Sequence, residues 1–320
     1  MSRLPPDVPA AHQSPVNTGS EDTATPERAV RAGALYVVAT PIGNLGDLSP
    51  RARDVLAGVD RIAAEDTRTT GVLLAHCGLR RPLVALHEHN EDRIAEALIA
   101  AVARGESLAL VSDAGTPLVS DPGYALVRAA RAQGVPVYAV PGPCAVIAAL
   151  SICGLATDRF TFAGFLPSKS SARRARLQEF LHEPRTVIVY ESAHRIGDSL
   201  ADLVAVLGEQ RQICLAREIS KRFEESITAS AAAVLAWQTA DAHRSLGEFV
   251  LVIEGVAAAT DDANAERVLR LLLGELSPSR AARLAAEITG APRKQLYELA
   301  LRAGASNQNQ GENEDNDAPK

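Results

Sequence analysis

The stretch from residue 108 to residue 123, LALVSDAGTPLVSDPG, constrains the fold more than any other part of the sequence. It begins with four apolar residues, as a short buried strand does, and then breaks into a loop with two glycines, two prolines and two aspartates. Gly115 and Gly123 allow a ligand to approach the backbone closely, and the free N–H groups of a following helix would face the loop. A ligand site and an ordinary strand-to-helix turn both fit this order of elements, and the spacing alone does not separate them.

The end of this stretch predicts the start of a helix. Asp121 suits the N-cap and Pro122 suits the first helical position. The helix would run from Tyr124 to Gln133, and Gly134 would end it in the left-handed conformation.

The same order of strand, loop and helix occurs twice more in the first half of the chain. The apolar run 34–39 ends in TPIGNLGD, and the run 135–140 ends in PGP before an apolar helix over 144–153. Alternating strands and helices predict an α/β fold with a parallel sheet, which we place at residues 34–146. Ligands of such sheets bind at the carboxyl ends of the strands, where these three loops would gather.

The rest of the chain predicts a second α/β domain and a small helical domain. Residues 147–257 alternate strands and helices and favour a mixed sheet, whereas residues 262–305 resemble a helix-turn-helix. The ends of the chain lack apolar periodicity, and we expect residues 1–33 and the acidic segment 306–320 to be disordered tails.

Charge and cysteine content narrow the class of protein. The formal net charge is −6, and the two tails carry most of it, so overall charge gives no support to nucleic-acid binding. No apolar run reaches the roughly 18 residues of a membrane-spanning helix, and the first residues lack the apolar core of a signal peptide. The four cysteines show no CxxC pairing and predict buried thiols in a reducing cytoplasm.

The chain has no GxGxxG or P-loop motif, so a nicotinamide or nucleoside-triphosphate site is not indicated.

Several polar clusters follow predicted strands. His87 and His89 favour a polar loop that faces the substrate over a metal site, because no cysteine or carboxylate set completes a ligand group. Glu65 to Arg68 fit either a helix start capped by Asp66 or the rim of a substrate site.

A basic run at residues 169–176 is compatible with two roles. Lys169, Arg173, Arg174 and Arg176 form either a solvated helix face or a clamp for phosphates, to which arginine donates fork-like hydrogen bonds.

Eight blocks of sequence together resemble a known family. They are LYVVATPIGNLGDLSPRARDVL, AAEDTRTTGVLL, LHEHNE, LVSDAGTPLVSDPGY, VPGPCAVIAALSICGL, GFLPSKSSARR, YESAHR and AREISKRFEE. In this order they closely resemble the small-subunit ribosomal RNA methyltransferases I, a bacterial branch of the tetrapyrrole methylase superfamily. The resemblance covers residues 34–304. It implies two α/β domains of the tetrapyrrole methylase type with S-adenosylmethionine in the cleft between them, and a homodimer. It also implies 2′-O-methylation of a cytidine ribose in the decoding region of 16S rRNA. Independently of the resemblance, residues 262–305 carry seven basic and five acidic residues, a weak signal for RNA binding by the C-terminal helices.

The resemblance also implies cofactor contacts at particular positions. They are Ile42, Gly43, Ala114, Gly115, Thr116, Val119, Cys144, Ala145, Tyr190, Glu191 and Ala216. At one position the chain departs from the superfamily, which has an aspartate where this sequence has Thr116. We expect Asp113 or Asp121 to take over its role, which is to hold the amino end of the cofactor, and the departure argues against a tetrapyrrole acceptor.

Methyl transfer to a ribose hydroxyl requires alignment, removal of a proton and stabilisation of the oxygen. Candidates for the base are Glu65, Asp66, His87, His89 and Glu191. Candidates for the cation are Arg68, Arg195, Arg217 and Lys221. The residue pattern does not rank them, and Glu65 with Arg68 is our prediction for the catalytic pair, without a metal. Predicted RNA contacts are His87, His89, Lys169, Arg173, Arg174, Arg176 and Arg195.

Two other functions were compatible with this fold. A methylase of small molecules would lack the basic run and the helical C-terminal domain, and both are present. A non-catalytic RNA-binding assembly factor would not need three intact cofactor loops, and all three are present.

Overall fold

The computed structural model describes residues 30–256 and 262–311, with side chains described over 30–256 and 264–303. Most of the predicted tail at 1–33, and residues 312–320 of the other tail, lie outside the described residues. No helix in the described part of the chain is long and apolar enough to cross a membrane.

The first domain is a five-stranded parallel sheet with helices on both faces, as predicted. Its elements in chain order are β1 (Leu35–Val38), α1 (Pro50–Gly58), β2 (Arg61–Ala64), α2 (Thr67–His76), β3 (Leu83–Ala85), α3 (Glu91–Ala103), β4 (Leu108–Val111), α4 (Tyr124–Ala132), β5 (Val137–Val140) and α5 (Ala145–Ile152). The strand order is β3-β2-β4-β1-β5. All four residues of β4 are buried, because the sheet is covered on both sides.

Two apolar layers hold this sheet. Val55 and Leu56 of α1 pack on one face, and Leu98, Ile99 and Leu126 of α3 and α4 pack on the other. Burial of each such side chain is worth about 1.5 to 3 kcal/mol. The two layers fix β1 between β4 and β5 and thereby bring the ends of these three strands to one edge.

The second domain has a mixed five-stranded sheet, which confirms the prediction. Its elements are β6 (Phe160–Phe165), α6 (Ser170–Gln178), β7 (Thr186–Ser192), α7 (Ile196–Leu207), β8 (Gln212–Arg217), β9 (Glu225–Ser230), α8 (Ala231–Thr239) and β10 (Glu248–Ile253). The strand order is β6-β7-β10-β8-β9, in which only β6 and β7 pair in parallel.

Helix α5 connects the two domains. Val146 and Ala149 of α5 pack against Ile188 and Val250 on the face of the second sheet that α6, α7 and α8 leave uncovered. The domain boundary that we predicted after residue 146 therefore falls inside α5, since this helix belongs to the packing of the second sheet.

Three helices form the C-terminal domain, as predicted. They are α9 (Asp262–Leu273), α10 (Pro278–Thr289) and α11 (Arg293–Gly311), and Gly290 ends α10 in the left-handed conformation with φ 74°. A small apolar core joins them and includes Leu269, Ala282 and Leu296.

The described residues extend a few positions beyond both predicted tail boundaries. Val30 packs against the core of the first domain, and the Arg31 N–H donates to the Tyr36 hydroxyl at 2.7 Å, so the ordered chain begins before residue 34. At the other end α11 continues to Gly311, because a helix already started propagates through residues that would not nucleate one.

Candidate active site

The three glycine and proline loops meet at one edge of the first sheet. They are the first loop (residues 40–47) after β1, the second loop (112–123) after β4 and the third loop (141–144) after β5. Thr40 and Gly115 exchange two backbone hydrogen bonds of 2.8 and 3.0 Å, and the Thr116 hydroxyl donates to the Pro143 carbonyl at 3.0 Å. The loops therefore form one connected surface at the carboxyl ends of the strands.

The backbone of the second loop is held in unusual conformations. Leu118 and Ser120 have φ of 72° and 65°, in the left-handed region that side chains other than glycine rarely adopt. Gly115, with φ 85°, lies between the first and third loops. Such conformations persist only where surrounding structure enforces them, and they cluster at functional sites.

The prediction that Asp121 caps α4 is wrong. The N-cap is Gly123, whose N–H donates to Glu91 Oε2 at 2.5 Å, and α4 starts at Tyr124. Glu91 of α3 accepts the hydrogen bond from this N–H, so Asp121 is not needed as the cap. The Asp121 residue instead lines the cleft between the domains.

A cavity of about 420 Å³ lies in this cleft, and we call it the interdomain cavity. Its walls are mostly apolar, and its size falls within the range of small-molecule sites, roughly 300 to 1,000 Å³. Ten predicted cofactor residues line it: Ile42, Ala114, Gly115, Thr116, Val119, Asp121, Cys144, Ala145, Tyr190 and Glu191.

Three predicted cofactor residues do not line the interdomain cavity. Ala216 is fully buried in β8 beside Val250, so it lies behind the cavity wall. Gly43 and Asp113 line a neighbouring cavity, which is described below. The Asp113 carboxylate accepts the N–H of Asp66 at 3.0 Å.

Asp121 is the carboxylate best placed to hold a cationic group in the interdomain cavity. Burial raises the pKa of Asp121 to about 6; a hydrogen bond with Ser112 opposes this shift, and the charges of Glu65 and Asp113 add to it. The Thr116 hydroxyl is already engaged by Pro143 and does not substitute for a carboxylate. Apolar walls, glycine backbone and the Asp121 carboxylate therefore fit S-adenosylmethionine, whose adenine, methionine backbone and amino group need those surfaces.

The second domain contributes wall residues that the sequence did not identify as cofactor contacts. They are Phe165, Ser192, Ala193, His194, Ile219, Lys221, Gly247, Glu248, Phe249 and Val250, joined by Ser120 of the second loop. Their signal in the sequence was weak, because β10 comes to the site only through antiparallel pairing with β7 and β8.

Lys221 is the most informative of these residues. Its Nζ lies 2.8 Å from Glu218 Oε1 and 2.5 Å from Glu248 Oε2, and its aliphatic stem lies directly over Gly43 of the first loop. Burial alone would lower the pKa of Lys221, but the hydrogen bonds to the two carboxylates outweigh it and raise the pKa. Lys221 is thus held in the cleft wall as a charged ammonium between two carboxylates.

Glu191 and Arg195 belong to one hydrogen-bonded network at the end of β7. The Glu191 carboxylate is fully buried and accepts hydrogen bonds from the Ser199 hydroxyl (2.6 Å) and the Ser192 N–H (2.8 Å). Arg195 pairs with it at 2.6 Å and also donates to the Leu166 carbonyl. Because this network occupies its carboxylate, Glu191 is not a free base. The Arg195 side chain is 24% exposed, and RNA contact by Arg195 stays a prediction.

The catalytic pair predicted at Glu65 and Arg68 lies beside the cavity rather than in its wall. Asp66 caps α2, as predicted, and binds the Arg68 guanidinium at 2.5 Å, which holds the pKa of Asp66 at about 2. Arg68 is otherwise exposed. Burial raises the pKa of Glu65, and its carboxylate faces the Asp113 N–H at 3.4 Å. Their catalytic roles stay predictions.

Of the basic run, Arg173 does not fit RNA binding. Its guanidinium is 3% exposed and binds the buried Asp202 at 2.7 Å and 2.8 Å. Arg174 donates to the other oxygen of Asp202 at 2.6 Å but remains half exposed, and Arg176 pairs with Glu179. Lys169 is exposed at the start of α6. Arg173 therefore fixes α6 to α7, and only the other three basic residues remain candidates for RNA.

The two histidines lie at the end of β3, away from the cavity wall. Their rings touch edge to face with centroids 5.9 Å apart, and His87 Nδ1 is buried without a hydrogen-bond partner. Within residues 30–256 and 262–311, no three histidine, cysteine, aspartate or glutamate side chains are grouped to hold a metal ion. RNA contact by His87 and His89 stays a prediction.

Comparison with known proteins adds independent evidence. Residues 34–235 match the family model of tetrapyrrole (corrin/porphyrin) methylases, and residues 259–304 match that of the RsmI C-terminal HTH domain. The crystal structure of the methyltransferase CobJ has a TM-score of 0.52 at 20% identity, covering 70% of this chain and 95% of its own, and shows the same fold.

Curated relatives match over nearly their full length. Ribosomal RNA small subunit methyltransferase I of Xylella fastidiosa (strain Temecula1) is 56% identical over 269 residues, which is 83% of this chain and 98% of the relative. The protein of the same name from Escherichia coli O157:H7 is 54% identical over 271 residues, 84% and 95% of the two chains. That of Synechocystis is 45% identical over 274 residues, 84% and 98%. The chain therefore belongs to the ribosomal RNA small subunit methyltransferase I family, within the tetrapyrrole methylases.

Proposed function

We propose that this protein transfers a methyl group from S-adenosylmethionine to the ribose 2′-hydroxyl of a cytidine in the decoding region of 16S rRNA, as a cytoplasmic homodimer. The observation that carries the proposal is the interdomain cavity. Ten residues that were predicted to hold the cofactor all line this cavity. The printed names of the relatives, which are small-subunit rRNA methyltransferases, support the substrate class.

S-adenosylmethionine, when bound, supplies a methyl group already activated on a sulfonium. The protein has to hold the cofactor and exclude water from it. Asp121 offers a carboxylate for the amino group, the apolar walls enclose the adenine, and Gly115 lets the backbone of the second loop approach closely.

The remaining task is to orient the hydroxyl and to accept its proton. Asp66 is a poor base because its pKa is held at about 2. The buried Glu191 carboxylate already accepts a hydrogen bond from Ser199 and pairs with Arg195, so it is not available as a base. Glu65 is left as the carboxylate candidate, since burial raises its pKa. Lys221 lines the cavity and stays charged, so it is better placed than Arg68 to stabilise negative charge on the attacking oxygen.

RNA capture is assigned to surfaces outside the cavity. The C-terminal helices carry basic side chains such as Arg280 and Arg293, and Lys169 and Arg174 expose charge near α6. Phosphate contacts from such residues add affinity without reading sequence.

A pair of glycine variants tests the cofactor assignment. Gly115→Val places a branched side chain between the first and third loops, next to Ile42 and Pro143. Gly134→Val is the matched control, because Gly134 also has positive φ (69°) but a Cβ there would meet no atom within 4 Å. Both variants therefore carry similar backbone strain.

We expect wild-type protein and Gly134→Val to bind S-adenosylmethionine in calorimetry and to methylate small subunits purified from cells that lack this enzyme. Gly115→Val should bind the cofactor more weakly than Gly134→Val, because its side chain extends from the cavity wall into the space for the cofactor. Equal cofactor affinity in the two variants would contradict the assignment of the site.

A further inference from the structure

A second cavity, of about 390 Å³, adjoins the interdomain cavity, and we call it the side cavity. The two share Ile42, Ala114, Lys221 and Glu248 as lining residues. A molecule in one cavity would therefore meet a molecule in the other at a junction made by these four residues.

The far wall of the side cavity is the face of α2 that points toward the first loop. Thr70 and Leu73 are buried at its floor, whereas Thr69 and Val72 are exposed at its mouth. The exposed fraction of Val72 is 68%, so this part of the cavity wall is in contact with solvent. The mouth is therefore open to solvent at Thr69 and Val72.

The polar groups of the side cavity suit a nucleoside. Asp113 places a carboxylate in its wall, and Thr69 places a hydroxyl at its mouth. The Lys221 ammonium stands at the junction, where it pairs with the Glu248 carboxylate. Enzymes that modify a nucleotide within a folded nucleic acid draw it into such a pocket, where apolar side chains pack against the base and polar groups bind its edge.

Another neighbouring cavity, of about 370 Å³, is less suitable. It lies between the third loop and Ser220, and Asp47 is the ionisable group in its wall apart from the Cys144 thiol. The Asp47 carboxylate accepts a hydrogen bond from the Ser220 hydroxyl across the domains, so it is already engaged. No lysine or arginine lines this cavity among the residues that the structure describes.

We propose that the side cavity receives the target nucleotide, flipped out of the RNA, and that its ribose hydroxyl meets the methyl donor at the junction beside Lys221. The proposal rests on the proposed function and adds the place of the acceptor. Proton transfer and methyl transfer then occur at one point: the hydroxyl oxygen gains the methyl group, the sulfonium becomes a thioether, and the proton leaves to a carboxylate or water.

Substitution at the mouth tests this assignment without disturbing the core. Val72→Trp fills the side cavity from an exposed helical position, and Ala75→Trp puts the same side chain at an exposed position of α2 that lines neither cavity. Methyl transfer to small subunits from cells lacking the enzyme gives kcat/KM, and calorimetry gives the affinity for S-adenosylmethionine.

We expect Val72→Trp to lower kcat/KM by about 100-fold, because the acceptor can no longer reach the donor, with cofactor affinity unchanged. Ala75→Trp should match the wild type in both measurements. Wild-type kcat/KM in Val72→Trp, or an equal loss of cofactor affinity in that variant, would overturn the assignment of the side cavity. Failure of the wild-type protein to methylate subunits would instead overturn the proposed function, and this assignment with it.

Discussion

The buried pair of Arg173 and Asp202 yields the sharpest prediction about stability. Arg173→Met removes the guanidinium and keeps much of the volume of the side chain. Asp202 is 4% exposed and would remain in the interior with its charge only partly compensated. The variant also removes the hydrogen bond from Arg173 to the Ser168 carbonyl, at 3.1 Å, which anchors the start of α6.

The expected loss follows from what remains around Asp202. Breaking a buried ion pair by removing one partner destabilises a protein by about 3 to 5 kcal/mol. Asp202 would keep Arg174 at 2.6 Å and Ser170 at 3.0 Å, so we expect the lower end, about 3 kcal/mol. With a denaturant slope of about 2 kcal/mol/M in urea, the unfolding midpoint should fall by roughly 1.5 M.

Fluorescence of Trp237 is the appropriate assay. It is the single tryptophan of the chain and lies in α8 of the second domain, so it reports unfolding of the domain that contains the pair. Arg176→Met is the matched control from the same helix: its partner Glu179 is on the surface, and such pairs contribute about 0 to 1 kcal/mol.

The pH dependence provides a second check on the same pair. Burial alone would raise the pKa of Asp202, but hydrogen bonds from Arg174, Ser170 and Arg173 outweigh it and lower the pKa. The stabilisation is therefore present above the unfolded-state pKa, about 4, and is lost as the pH falls through the lower folded-state value. The difference between wild type and Arg173→Met should shrink on acidification.

A double variant decides whether the reasoning is right. Arg173→Met with Asp202→Leu removes both charges, and it should be more stable than Arg173→Met alone because no buried charge is left uncompensated. A midpoint shift below about 0.5 M for Arg173→Met, on a slope of about 2 kcal/mol/M, would refute the structural role assigned to this pair.

Four further outcomes are expected. Affinity for S-adenosylmethionine should rise about tenfold from pH 5 to pH 7 as Asp121, with a pKa of about 6, ionises, and calorimetry should show no such rise in Asp121→Asn. Lys221→Met should slow single-turnover methyl transfer by about 100-fold, whereas an unchanged rate would exclude it as the stabilising cation. Replacing Lys169 and Arg174 by alanine should reduce the slope of log RNA affinity against log salt by about 0.7 to 0.9 per lost phosphate contact, and filter binding over a salt series would measure this. A chain ending at residue 256 should bind small subunits more weakly and S-adenosylmethionine normally; equal affinity for subunits would deny the C-terminal helices a role in capture.

The strands and the convergence of the loops were predictable because their signals are local. β4 occupies the four apolar residues that begin the stretch 108–123, and β1 and β5 lie within the apolar runs 34–39 and 135–140. A glycine or proline follows within four residues of the end of each run. Parallel pairing of β4, β1 and β5 then brings the loops together, as the alternation of strands and helices implied.

Two of the failures share one physical cause, which is a partner distant in sequence. Asp121 lost its capping role because Glu91 of another helix binds the N–H of Gly123. Arg173 is buried because Asp202 of α7 is its partner, and no spacing within the basic run indicates that. A sequence pattern gives the period of a helix or strand, but the partner of a charged side chain depends on tertiary packing.

Lys221 is a residue whose importance the sequence pattern did not show, again because its partners are distant in sequence. It was one of four candidate cations, and nothing in its neighbourhood distinguished it. Its selection comes from Glu248, 27 residues further along the chain, and from the packing of its stem over Gly43 of the other domain.

Mass mapping of ribose methylation in small-subunit rRNA tests the central claim most directly. The rRNA would be compared between cells that carry the gene, cells that lack it, and cells that carry Gly115→Val in its place. The account predicts one 2′-O-methylated cytidine in the decoding region that is present in the first cells and unmethylated in the other two. The same methylation pattern in cells with and without the gene would contradict it.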